Sequence, residues 1–176
     1  MSTDETTGTP RARAQDAEGA EREDPLRFYL DKASPKVWEA MTGLRKSVTA
    51  FAEQAGLDAE LVELVSLRVS QINGCAYCLD IHTRLAQKAG LSAQRMNLLP
   101  AWEEAGDVYT AQERAALSLA ETATRLPGQE DQQVAQMLAH ADLTDEQFAA
   151  VQWIAVTMNA TNRISILSHH PVTRRS

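Results

Sequence analysis

From the stretch DPLRFYL, which begins at Asp24, apolar residues recur at three- and four-residue intervals, and no sustained two-residue alternation appears. Three-to-four spacing gathers apolar side chains on one side of a helix, whereas a half-buried strand needs one at every second position. The pattern predicts an all-α domain over residues 25–176. Residues 1–24, MSTDETTGTPRARAQDAEGAERED, are polar, mixed in charge and poor in large apolar groups. Such a segment cannot bury enough surface to offset the entropy of ordering, so it reads as a disordered tail. A chain of 176 residues accommodates one domain plus that tail, with a core that needs no disulfide staples.

Local punctuation divides the helical region. Ser34 before Pro35 reads as an N-cap with proline at the first helical position, and Gly56 as the stop of a helix over about 35–54. Asp58 caps a second helix reaching about Ile72, Asn73-Gly74 breaks it, and a third begins at the cysteines and ends before Gly90. The second and third form a tight helical hairpin. Ser92 reads as the cap of a shorter helix, and Thr110 with Glu113 and Thr144 with Gln147 have the capping-box form. LPGQED, around Pro127, reads as a loop. The last helix, about 145–168, carries Phe148, Val151, Ile154, Val156, Met158, Ile164 and Leu167 on more than one side, which suits a central helix or a subunit interface. Asn159, Asn162 and Arg163 interrupt it and are expected to be buried and hydrogen-bonded.

A formal net charge of −7, with no cluster of Lys and Arg interleaved with aromatics, argues against nucleic acid as a partner. No apolar run approaches the roughly 20 residues that span a bilayer, and the N-terminus lacks the apolar core of a secretory signal. A cytoplasmic protein is expected, with no membrane partner. In that reducing compartment a C-x-x-C points to catalysis or metal more often than to structure.

Both cysteines, Cys75 and Cys78, lie at the start of the third helix, and His82 follows one turn later. At roughly 100° per residue the three fall within an arc of about 80° on one face. Leu79, Leu85, Ala86 and Ala89 surround that arc, while Asp80, Arg84, Gln87 and Lys88 lie opposite. An i, i+3 pair brings its α-carbons to about 5–6 Å, within disulfide range, so the pair can be oxidised without refolding. Lowering a thiol pKa from about 8.5 to near 7 takes roughly 2 kcal/mol of preference for the thiolate. A helix N-terminus supplies about that at most, and His82 adds to it by taking the proton. On the preceding helix Glu63, Leu67 and Ser70 form one stripe; once the hairpin closes, Glu63 can orient and charge His82.

Other readings of the triplet are weaker. Zinc would need a fourth ligand, and His140, His169 and His170 offer no second paired spacing. Haem attachment wants the histidine directly after the second cysteine, where Leu79 stands, and a thioredoxin fold needs βαβ patterning. No metal or cofactor is expected.

The combination of Glu63, LRVSQINGCAYC and His82, with NATNRISI later, resembles the alkylhydroperoxidase AhpD-like group of the carboxymuconolactone decarboxylase superfamily. The similarity runs from about residue 27 to 169. It implies an AhpD-like helical fold with the CxxC at the N-terminus of a central helix, assembly into trimers or hexamers, and thiol-dependent peroxidase activity. By the resemblance Cys78 is the cysteine that attacks peroxide, Cys75 the one that resolves it, and His82 with Glu63 the proton relay. The implied partners are a hydroperoxide and a dithiol reductant, which in the family can be a lipoyl group on a protein. Cysteines this early in the chain resemble the compact peroxidase-related members. Tyr77 stands between the cysteines where the longer AhpD enzyme has a histidine, and Thr161 where an aromatic is common. Decarboxylases of the superfamily lack the paired cysteines. The alternative functions are a redox-sensing or disulfide-exchange module and, further off, a lactone decarboxylase that uses the pocket without its thiols.

Overall fold

The computed structural model describes residues 28–175. The tail read over 1–24 lies outside the described residues. Among those described, the chain is all helical: α1 (Leu30–Ala33), α2 (Pro35–Gln54), α3 (Ala59–Asn73), α4 (Ala76–Ala89), α5 (Ala93–Leu98), α6 (Ala111–Arg125), α7 (Gln129–Ala139) and α8 (Asp145–Leu167). Two short 3₁₀ turns, Leu99–Glu104 and Gly106–Val108, join α5 to α6.

Most of these boundaries follow from caps. The Asp58 carboxylate accepts from the Leu61 amide at 2.8 Å. Thr110 and Thr144 each close a complete capping box with Glu113 and Gln147. Such reciprocal bonds satisfy two of the amides that a helix start leaves free. Gly56 and Gly74 have φ of +77° and +67°, the left-handed turn that lets the chain leave one helix and enter the next.

Helix α3 is the axis of the domain, with every residue from Leu64 to Ser70 buried. On one side Leu61, Val65 and Val69 pack with Val48 of α2, Leu119 of α6 and Ile154 of α8. On the other, Leu64 and Leu67 share a second core with Ala86 of α4, Leu99, Trp102 and Leu117 of α6. Burying each such leucine stabilises the fold by about 1.5–3 kcal/mol. The long polar side chains in this interior are paired: Arg68 Nε donates to Glu121 Oε1 at 2.6 Å, and Trp102 Nε1 donates to the same oxygen at 2.8 Å.

Four expectations are corrected. Ser34 caps nothing with its side chain, because the extra helix α1 ends against it; its amide donates to Leu30 O, and its backbone leaves the extended region that capping needs. The loop around Pro127 is shorter than expected, since Gln129, Glu130 and Asp131 already belong to α7. That helix leaves little core pattern in the sequence, since it buries little but Ala139, with Val134, Met137 and Leu138 exposed. Leu85, placed near the core face of the cysteine helix, is 40% exposed at the edge of its arc. Arg163 is exposed too: its guanidinium lies along the surface of α8 and donates to Asn159 O and Oδ1.

On α8 the apolar residues do occupy more than one side. Val151, Ile154 and Met158 are buried, while Trp153, Val156, Ile166 and Leu167 are exposed.

Candidate active site

The site is built at the tip of the α3–α4 hairpin. Gly74 turns the chain, Cys75 becomes the N-cap of α4, and the Cys75 amide donates back to Ser70 O at 3.1 Å. The Cys75 sulfur fills the acceptor role that Ser or Asp usually plays, taking the Cys78 amide at 3.3 Å. The two sulfurs are bonded as a disulfide, with α-carbons 5.3 Å apart. Cys75 is 2% exposed and Cys78 6%. In the reduced protein the same amide and the helix N-terminus favour negative charge on sulfur.

One turn along α4, His82 Nδ1 donates to Glu63 Oε2 of α3 at 2.7 Å, with both side chains largely buried. This bond sets the ring's orientation and leaves Nε2 as the nitrogen available to a thiol or substrate. The structure therefore brings Cys75 and Cys78 together, and separately Glu63 and His82. Ser70 is not drawn into this pair. Its hydroxyl accepts from Asn162 Nδ2 of α8 at 3.2 Å, while Asn73 Nδ2 donates to the Oδ1 atoms of Asn159 and Asn162 at 3.0 and 2.9 Å. These amides anchor the Gly74 turn against α8, as buried polar groups that satisfy one another.

A cavity of about 470 Å³ opens beside Cys78, with Tyr77, His82, Trp38, Met158 and His170 in its wall. A second, of about 210 Å³, lies against Glu63, and Arg45, His82 and Met158 line both. The Thr157 hydroxyl in the wall of the second is buried and has no hydrogen-bond partner among the described residues. Among the described residues no group of three or more His, Cys, Asp or Glu is placed to hold a metal.

Both ends of the described chain reach the larger cavity, which sequence reasoning did not anticipate. The Leu30 amide donates to Ser168 Oγ at 3.1 Å. The His170 ring stacks on Tyr29 at 5.1 Å and tilts over Tyr77 at 4.9 Å, and its Nε2 lies 3.4 Å from Asp31 Oδ1. Burial pushes the Asp31 carboxyl up, but hydrogen bonds and charge from Lys32 and His170 outweigh it and hold it below the usual carboxylate value. Nothing local links Asp31 to a histidine that far along the chain.

The sequence profile of the carboxymuconolactone decarboxylase family matches residues 35–122, from the start of α2 to within α6. The chain belongs to the carboxymuconolactone decarboxylase family. The uncharacterized protein YdfG of Bacillus subtilis is 39% identical to it over 118 residues, covering 66% of this chain and 78% of YdfG. The alkyl hydroperoxide reductase AhpD of a Bradyrhizobium strain is 53% identical over 65 residues, 37% of this chain but only 35% of that reductase. In three dimensions the chain superposes on ATU0492 of Agrobacterium tumefaciens, a protein of unknown function described as a candidate antioxidant defence protein AhpD. The TM-score is 0.74 at 33% identity, over 84% of this chain and 99% of that one. The fold is thus AhpD-like. Among the described residues no helix is long and apolar enough to cross a membrane.

Proposed function

We propose that this family member is a thiol-dependent peroxidase that reduces organic hydroperoxides through Cys78 and Cys75. The observation that carries the reading is Cys78 in the wall of a cavity that also contains His82, a ring already held by Glu63 at 2.7 Å. His82 takes the Cys78 proton. The thiolate attacks the terminal oxygen of the hydroperoxide, the O–O bond breaks, and the departing alkoxide takes up a proton to leave as an alcohol. Cys78 is then a sulfenic acid. The Cys75 thiol attacks it, a disulfide forms and water leaves; an external dithiol restores both thiols by exchange. Tyr77, Trp38 and Met158 in the cavity wall suit an alkyl or aryl tail.

A lipoyl group on a protein fits the donor role in a reducing cytoplasm, and self-association into a trimer or hexamer belongs to the same reading. The exposed Trp153 and Val156 on α8 support assembly, because apolar residues clustered on a surface mark a contact site.

The test is stopped-flow oxidation of the reduced protein by cumene hydroperoxide beside hydrogen peroxide, with thiols counted by mass before and after. Loss of two thiols as one intramolecular disulfide, far faster than a free thiol reacts, is expected. Oxidation at free-thiol rates would overturn the proposal.

A further inference from the structure

Reduction of a hydroperoxide needs two proton transfers in different places: one leaves the thiol, and another must reach the departing alkoxide. His82 answers for the first. In the wall of the same cavity stands a second imidazole–carboxylate pair, carried by elements outside the α3–α4 hairpin. His170 follows α8, where His169 takes a left-handed φ of +49° and the His170 amide donates to Ser165 O at 3.1 Å. A non-glycine residue in that conformation costs about 1 kcal/mol or more and persists only where its surroundings hold it. Here Tyr29, Tyr77 and Asp31 hold the ring from three sides. Its Nε2 is taken by Asp31, yet Nδ1 is buried without a hydrogen-bond partner among the described residues. A buried ring nitrogen left unpaired is costly unless a ligand or solvent molecule completes it. Both His170 and Cys78 line the same cavity.

Resting on the peroxidase reading, we infer that His170, held by Asp31, is the acid that protonates the leaving oxygen of an organic hydroperoxide bound between it and Cys78. The Cys78 thiolate forms a bond to the terminal oxygen, the O–O bond breaks, and the His170 imidazolium gives its Nδ1 proton to the alkoxide. The products are the Cys78 sulfenic acid, an alcohol and a neutral His170, which regains a proton from water. The Asp31 carboxylate, ionised at neutral pH, favours the imidazolium that this step consumes. The other charged or titratable groups in the wall are Tyr29 just before α1, Lys32 from α1, Arg45 from α2, and Tyr77 and His82 from α4.

The test compares leaving groups. Reduced wild type, His170→Phe and Asp31→Asn are mixed with tert-butyl hydroperoxide, whose alkoxide needs a proton, and with peracetic acid, whose carboxylate does not. Phenylalanine retains the stack on Tyr29 and Tyr77. Positioned acids contribute about 10²–10⁴-fold. His170→Phe is therefore expected to slow the tert-butyl reaction by about 10²-fold and the peracetic acid reaction by less than about 3-fold. Asp31→Asn, which removes the charge beside the ring but keeps the imidazole, is expected to show the same selective loss in smaller measure. Equal loss with both oxidants, or no loss with either, would overturn the inference while leaving the peroxidase reading intact. Wild type reacting no faster than a free thiol would sink both.

Discussion

Glu63 on α3 accepts the Nδ1 proton of His82 on α4 at 2.7 Å, joining the two helices of the hairpin beside Cys78. The carboxylate stabilises an imidazolium, so it matters most when His82 carries the Cys78 proton. Glu63→Gln retains a hydrogen-bond acceptor but loses the charge. The expected result is a fall of about 10–100-fold in the rate of Cys78 oxidation, with a change in stability under about 1 kcal/mol. Stopped-flow rates beside thermal melts separate the two effects.

The two cysteines differ in burial and in cavity contact, and their variants should differ in what accumulates. Cys78→Ser should abolish turnover with excess dithiol. Cys75→Ser should abolish turnover as well, yet leave a sulfenic acid on Cys78 that a dimedone probe traps and mass spectrometry counts. A Cys78→Ser protein that turned over at the wild-type rate would rule out the assigned roles.

Glu121 is buried on α6 against Arg68, Trp102 and Arg125. Removing its carboxylate leaves the Arg68 guanidinium buried without a counter-charge, a change that costs about 3–5 kcal/mol. Glu121→Ala should therefore lower the thermal midpoint far more than the exposed Glu104→Ala, and circular dichroism melts provide the comparison.

Tyr109 lies in the second core with its hydroxyl donating to Arg95 O. Burial raises its pKa above 10.0, opposed by the Arg95 charge and reinforced by Glu113. Because the folded pKa exceeds the unfolded one, the stability it contributes is complete below about pH 10 and is lost as pH rises through the folded value. Urea unfolding between pH 8 and 11 should show this loss in wild type and a flatter profile in Tyr109→Phe. The variant should be weaker by about 0.5–1.5 kcal/mol at pH 8, where the hydrogen bond is missing.

Much of the frame was legible in the sequence because it rests on contacts within one helical turn. Asp58, Ser92, Thr110 and Thr144 cap where they were expected to, each through an amide three residues ahead. Periodicity identified the all-helical class, and the C-x-x-C spacing placed Cys75 and Cys78 within disulfide reach. The Glu63–His82 hydrogen bond was also within reach, because a short turn at Asn73-Gly74 leaves α3 and α4 few ways to pack.

What only the tertiary structure decided depends on segments distant in the chain. Ser34 met a preceding helix that its own dipeptide did not signal, and Ser70 turned to Asn162 of α8 instead of the cysteine helix. Leu85 reads as a core residue on a wheel, yet nothing packs over it closely enough to bury it. Above all, the meeting of Asp31, Tyr29 and Tyr77 around His170 needs both ends of the domain to close over one cavity. Caps and periodicity are set by neighbours a few bonds away, so the sequence determines them directly. The composition of a cavity wall depends on how whole helices dock, and that is settled only when the core is packed.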